Sequence, residues 1–104
     1  MELSEIQARV REASYFESRH ARNERSADGL TLQQVETALL SGEILEQYDD
    51  TGRGESCLLI GFSGETAIHV VCGWSGPDKH AVVLITVYKP GPPKFSDPWT
   101  RGIK

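Results

Sequence analysis

Cysteine is scarce in this chain of 104 residues: Cys57 and Cys72 are the only two, too few for the disulfide framework of a small secreted domain, and consistent with a reducing compartment. No secretory signal fits the start of the chain, where Glu2-Leu3-Ser4-Glu5 is followed by Arg9, Arg11 and Glu12 rather than by an apolar run. The longest apolar stretch, Ala81 to Val87, falls far short of the roughly 20 residues of a membrane helix. The expectation is a cytoplasmic protein with no membrane partner. An excess of positive charge is also missing: 11 Lys and Arg stand against 15 Asp and Glu, which argues against a surface that is one phosphate-binding field. With no internal repeat and too short a chain for two independent cores, one domain spanning 1–104 is expected.

What charge there is runs unevenly along the chain. Residues 1–52 hold 5 basic and 11 acidic groups, residues 53–104 hold 6 and 4. From Lys79 onward Lys79, Lys89, Lys94, Arg101 and Lys104 face a single acid, Asp97, so anion binding, if present, belongs towards the C-terminus; a solvated basic tail is the alternative.

Residues 1–42 read as helical. Leu3, Ile6, Val10 and Ala13 follow one helix face, and the segment from Tyr15 to Arg25 either continues that helix or starts another. The next helix is well marked: Thr31 can cap it, Gln34 completes a capping box, Leu30 can staple against Val35, and Leu32, Val35 and Leu39 form its buried stripe. Ser41-Gly42 offers a left-handed exit. Residues 43–88 read as four strands, Glu43 to Tyr48, Ser56 to Phe62, Ala67 to Trp74 and Ala81 to Tyr88, joined by connections of turn chemistry short enough for antiparallel neighbours. The predicted class is α+β, with N-terminal helices on one face of a four-stranded antiparallel sheet. Residues 89–104, with four prolines between Pro90 and Pro98, cannot be regular helix and are expected as an extended arm, tied down by Phe95 and Trp99 or waiting for a partner.

A tight turn at Gly64-Glu65 would set Phe62 opposite Ala67, Leu59 opposite Val70 and Cys57 opposite Cys72. A loop from Ser75 to His80 would then set Val70 opposite Ile85 and His69 opposite Thr86, with Tyr88 one step further along the same face. Placing Ile68, Val70, Val83, Ile85 and Val87 against the helices leaves His69, Thr86 and Tyr88 on the other side. An imidazole beside a phenol can move protons near neutral pH, and Lys94 or Arg101 could neutralise a phosphate; His and Tyr are equally at home as half-buried strand residues with no chemistry.

Other patterns carry less. His69 and Cys72 lie three apart on a strand and point to opposite faces, so they cannot share a metal without a bulge, and Cys57 with Cys72 supplies half a tetrahedral shell at most. Reduced, buried thiols are the expectation, with no metal and no cofactor. Glu17, His20 and Glu24 share a helix face, but Glu17-x-x-His20 is one motif where a carboxylate-bridged site needs two and further carboxylates, and the interleaved Arg19, Arg22 and Arg25 favour a solvated face with Glu-to-Arg pairs. The Gly52-Arg53-Gly54-Glu55-Ser56 stretch lacks the Lys and helix of a nucleotide loop and reads as a hairpin connection, with Arg53 a minor candidate for RNA or partner contact. No Ser-His-Asp, Cys-His or paired-carboxylate arrangement can be assembled from spacing.

Taken together, His20-Ala21, Gly29-Leu30-Thr31, Val35, Ala38-Leu39-Leu40, Gly42-Glu43-Ile44-Leu45-Glu46, Tyr48, the stretch from Gly52 to Leu58, Ile68-His69-Val70-Val71, Thr86-Val87-Tyr88 and Pro92 to Arg101 make the chain resemble a small bacterial and archaeal family called domain of unknown function 4258. The likeness covers about residues 18–101. It implies a fold of the RelE, ParE and BrnT toxin kind, and the Pro-Pro-Lys-Phe-x-Asp-Pro-Trp ending is similar to members encoded beside a zinc-finger protein of the YgiT type. The resemblance thus implies a toxin-like subunit neutralised by an antitoxin partner that carries the zinc. RelE-like toxins cut mRNA with basic and aromatic side chains on the open sheet face, and the positions matching in kind are His69, Tyr88, Lys94 and Arg101. Many members carry His-Ala-x-x-Arg-x-x-x-Arg; here Glu24 and Asp28 stand at the two Arg positions. Two functions remain open: a ribonuclease toxin acting on RNA or at the ribosome, and a non-catalytic protein-binding module whose open face and proline-rich arm dock a partner.

Overall fold

The structure is a computed structural model describing residues 1–50, 52, 54–91 and 95–101, with the backbone alone at 95, 96 and 101. Three helices lead: α1 (Leu3–Arg11), α2 (Arg19–Ala27) and α3 (Leu32–Ser41), with a short strand β1 (Tyr15–Glu17) between the first two. The sheet strands β2 (Glu43–Tyr48), β3 (Ser56–Ser63), β4 (Thr66–Trp74) and β5 (Val82–Tyr88) follow, then a small hairpin, β6 (Phe95–Asp97) and β7 (Thr100–Arg101).

The helix boundaries have local causes. At the end of α1, Ala13 adopts a left-handed φ of 59°, and Ser14 N–H donates to the Arg9 carbonyl at 2.8 Å. This turn satisfies orphan carbonyls of the last helical turn, and it removes Ala13 from the helix face expected of it. Gly29 does the same for α2, with φ 71° and Leu30 N–H on the Arg25 carbonyl at 2.7 Å. The Thr31–Gln34 capping box is formed as expected. Gly42, by contrast, is extended (φ −90°, ψ −176°) rather than left-handed. Its lack of a side chain serves packing instead, since a Cβ there would lie 2.5 Å from the Ile60 carbonyl oxygen.

The sheet is five-stranded and mixed, in the order β1-β5-β4-β3-β2, which corrects the four-stranded antiparallel expectation. The extra member is β1, parallel to β5 and fastened at both ends by Val82 N–H to the Ser14 carbonyl and Ser18 N–H to the Leu84 carbonyl. Three residues are too few to show alternation, so this segment could not be told from helix by pattern. Beyond β1 the exposed edge of β5 is satisfied by side chains of α2 and its two caps: Ser18 Oγ donates to the Ile85 carbonyl at 3.0 Å, Glu24 Oε1 accepts from Val87 N–H at 3.1 Å, and Asp28 Oδ2 accepts from Lys89 N–H at 2.8 Å. These groups stand in for a neighbouring strand and blunt the edge.

The β3–β4 register is the expected one, Phe62 with Ala67, Leu59 with Val70, Cys57 with Cys72. The β4–β5 register is not. A bulge at Ile85 sets Val70 opposite Val87, Val71 opposite Thr86 and Cys72 opposite Leu84, so Val82 and Leu84, rather than Val83 and Ile85, face the helices. One core lies between the helices and that face, joining Ile6 and Val10, Ala21, Val35, Ala38 and Leu39 to Cys57, Leu59, Ile68, Val70, Cys72, Val82, Leu84 and Val87; Leu32 is only half-buried. The closest approach is at Gly61, where a Cβ would lie 1.9 Å from the Ala38 carbonyl oxygen, so α3 rests backbone to backbone on β3. No helix among the described residues is long and apolar enough to cross a membrane.

Candidate functional site

With the helices holding one face, the chemistry-bearing side chains lie on the other, where alternation puts Leu58, Ile60 and Phe62 of β3, His69 and Val71 of β4 and Thr86 and Tyr88 of β5. His69 is directly opposite Tyr88, not Thr86, because the β4–β5 loop runs one residue longer than expected, with Trp74 paired to Val82, and the bulge adds a second residue of shift. The rings are tilted at 57° with centroids 5.3 Å apart, and Tyr88 Oη lies 3.2 Å from His69 Nδ1. Structure therefore makes this pair tighter than the sequence register implied.

The second ring nitrogen decides the tautomer. His69 Nε2 lies 2.7 Å from the Pro98 carbonyl oxygen, which can only accept, so Nε2 carries the proton and a neutral ring takes the Tyr88 hydroxyl proton at Nδ1. His69 is 0% exposed. Its cover is the C-terminal hairpin, whose turn is set by Asp97: one carboxylate oxygen accepts from Trp99 N–H at 2.8 Å and from Thr100 N–H at 3.0 Å, the usual work of Asp at a turn. Trp99 lies against Phe62 with centroids 6.0 Å apart, yet keeps 47% of its surface exposed. Residues 95–101 of the proline-rich arm thus form a short hairpin folded over the sheet, and Trp99 both packs on Phe62 and shows itself to solvent; residues 92–94 and 102–104 lie outside the described residues. The sequence reading gave neither Pro98 nor Phe62 a place in the site. The signal that could have found the hairpin was Asp97-Pro98-Trp99, a turn initiator followed by an aromatic.

The predicted cations fare differently. Arg53 and Lys94 lie outside the described residues. Arg101 lies on β7, its Cα paired with that of Phe95, within the hairpin that covers His69. In the β2–β3 connection Asp50 Oδ1 accepts from Gly52 N–H and Gly54 N–H at 2.8 and 2.9 Å, with both glycines left-handed. These backbone donors hold the Asp50 carboxyl below its usual range, and the donors a phosphate would need are already taken by the chain's own anion.

Ion pairs elsewhere are structural. Glu17 is on β1, not on a helix with His20, and its buried carboxylate takes a two-pronged pair from Arg25, Nε to Oε2 and Nη2 to Oε1 at 2.8 Å each; those bonds lower its pKa. Tyr15, half-buried, donates to Glu36, and burial together with that carboxylate pushes its phenol up. Cys57 and Cys72 are free and buried; burial raises the Cys57 thiol to about 11 and Cys72 further above its usual range, which keeps both protonated and unreactive. Among the described residues no group of three or more His, Cys, Asp or Glu converges as a metal shell. Glu24 and Asp28, which break the arginine pattern of the resembled family, are the two carboxylates that hold the β5 edge.

A family model described as Domain of unknown function (DUF4258) matches residues 18–89, from the cap of α2 through the residue after β5. Comparison with curated proteins finds no match, and none is found among solved structures.

Proposed function

The chain belongs to the DUF4258 family, and from that membership and the His69–Tyr88 pair we propose that it is the toxin-like component of a type II toxin–antitoxin module, an RNA-cleaving protein of the RelE-like kind acting in the cytoplasm. The observation that carries the reading is the hydrogen-bonded imidazole and phenol on the sheet face opposite the helices. In the proposed reaction the 2′-hydroxyl of the nucleotide gives its proton to Tyr88 Oη as its oxygen attacks the adjacent phosphorus. Tyr88 passes its own proton to His69 Nδ1, and Nε2–H protonates the departing 5′-oxygen, leaving a 2′,3′-cyclic phosphate and a 5′-hydroxyl. Lys94 and Arg101 are assigned to the phosphate charge. The Nε2 proton is engaged by Pro98 in the closed form, so RNA must displace the hairpin first. A zinc-finger protein of the YgiT type is the proposed antitoxin.

A second reading has its own observation. His69 is wholly buried with both nitrogens engaged, which suits an imidazole that fastens the arm in a non-catalytic protein-binding module. Growth and bulk mRNA integrity after induction of the chain in a bacterial host separate the two, alongside Tyr88→Phe and His69→Ala variants matched for soluble level and melting temperature. Arrest with mRNA loss that Tyr88→Phe relieves supports the ribonuclease; intact mRNA and unimpaired growth from abundant wild-type protein refute it in favour of the module.

A further inference from the structure

About four residues along β4 from His69, roughly 13 Å, the same sheet face opens into a groove of about 600 Å³ between β2, β3, β4 and β5. One register row crosses it: Tyr48 pairs with Ser56, Ser56 with Gly73, Gly73 with Val83 and Val83 with Phe16 of β1. Gly73 makes the floor. A Cβ there would come 3.1 Å from Ile85 Cδ1, so glycine at this position keeps the row one side chain deeper than its neighbours. The bulge turns Ile85 out of the helix-side core and into the groove wall, 39% exposed, and Phe16, 53% exposed, extends the apolar strip across the sheet. Two large apolar side chains bare to water beside a depression of this size mark an interaction surface.

The rim selects the partner. Asp49 and Glu55 line the groove; Glu55 is paired with the N-terminal ammonium at 2.7 Å, Asp50 adjoins as an anion held by its glycine donors, and Lys79 is turned over the Trp74 ring at 6.0 Å in the neighbouring groove. With Glu55 balanced by that ammonium, Asp49 and Asp50 are the charges that remain at this edge among the described residues, and they favour lysine or arginine over phosphate. We propose that this groove docks an extended segment of a partner protein that sets an apolar side chain on Gly73 and a basic one against Asp49. The proposal is independent of the ribonuclease reading, because it uses neither His69 nor Tyr88.

Amide-proton NMR on the labelled full chain tests it with a defined probe: an octapeptide with one leucine flanked by lysines in a glycine–serine frame, against the same peptide with glutamates for lysines. The backbone amides of Gly73 and Ile85 serve as reporters, since both residues line the groove, and the Trp99 indole serves as control, since Trp99 sits on Phe62. The lysine peptide is expected to shift the Gly73 and Ile85 amide signals but not the Trp99 indole signal, with an affinity at least about tenfold above the glutamate peptide. Gly73→Val, which fills the floor, should remove that binding. Asp49→Lys, on an exposed loop where folding is not at stake, should reverse the peptide preference. Equal binding of both peptides, shifts confined to other surfaces, no shifts at all, or an unchanged preference in Asp49→Lys would each overturn the proposal.

Discussion

Replacing Gly61 by alanine tests how the helix layer is fixed to the sheet, and with it which face is left for function. The new Cβ would lie 1.9 Å from the Ala38 oxygen, 2.5 Å from its carbonyl carbon and 2.8 Å from its Cα. All three atoms are backbone, so no rotamer can relieve the clash; α3 must lift from β3 by about 1.5 Å to restore ordinary contact, and a gap of that order forfeits at least a quarter to a half of the dispersion energy across it. Val35, Ala38 and Leu39, each at most 1% exposed, would lose that contact together. Overpacking usually costs about 1–3 kcal/mol, and a rigid backbone on both sides puts Gly61→Ala at the upper end, about 3 kcal/mol. For a domain of this size that lowers Tm by about 12–24 °C. Gly76→Ala is the control, because its Cβ would find only Asp78 Oδ1 at 3.6 Å and removes chain entropy from the unfolded state, an effect of under about 1 kcal/mol. Circular dichroism melts of both variants decide the matter. A Gly61→Ala protein melting within about 3 °C of the parent would refute the backbone-to-backbone seating of α3.

Breaking the Glu17–Arg25 pair with Arg25→Met leaves a carboxylate that is only 8% exposed with Arg22 as its remaining partner, and should cost about 3 kcal/mol at neutral pH in urea unfolding. Because the paired Glu17 titrates below its ordinary value of 4.5, its contribution is full above that value and lost as pH falls through the lowered one; the variant should show a shallower acid limb, and an unchanged limb would count against the pair. Glu24→Ala and Asp28→Ala should speed amide exchange at Val87 and Lys89 respectively, by about tenfold each if the bond is worth 1.4 kcal/mol, with little change at Val70 in the sheet centre. Acylation of imidazoles should modify His20 and His80, whose side chains are 67% and 70% exposed, well before His69, and Trp99→Ala should bring the third histidine into reach; mass spectrometry of the modified peptides reads both. Thiol titration of the native chain should find neither Cys57 nor Cys72 quickly, and both after denaturation, since burial keeps each as a protonated thiol.

Where one local rule governed an element, the sequence sufficed. The capping box at Thr31, the four long strands, the Gly64-Glu65 turn with its Cys57–Cys72 register, and the exclusion of helix from the described part of the proline-rich end all depend on residues close together in the chain. The candidate pair His69 and Tyr88 was legible for the same reason, because alternation along a strand fixes a face. Their partners were not: the Pro98 carbonyl reaches His69 across 29 positions, and nothing in the local pattern of either residue announces the other.

Tertiary structure alone decided the rest, wherever two elements far apart compete for one set of backbone groups. Tyr15 to Glu17 became a strand because β5 offered an unpaired edge, not through its own propensity. Glu24 and Asp28 became edge caps because α2 ran on beside that edge. The bulge at Ile85 brought Val82 and Leu84 to the core in place of Val83 and Ile85 and turned Ile85 out over Gly73; together with a loop one residue longer than expected it set His69 opposite Tyr88. A one-residue shift in a strand exchanges its two faces, and the energy that selects between them is the burial of side chains against helices whose positions no single segment encodes.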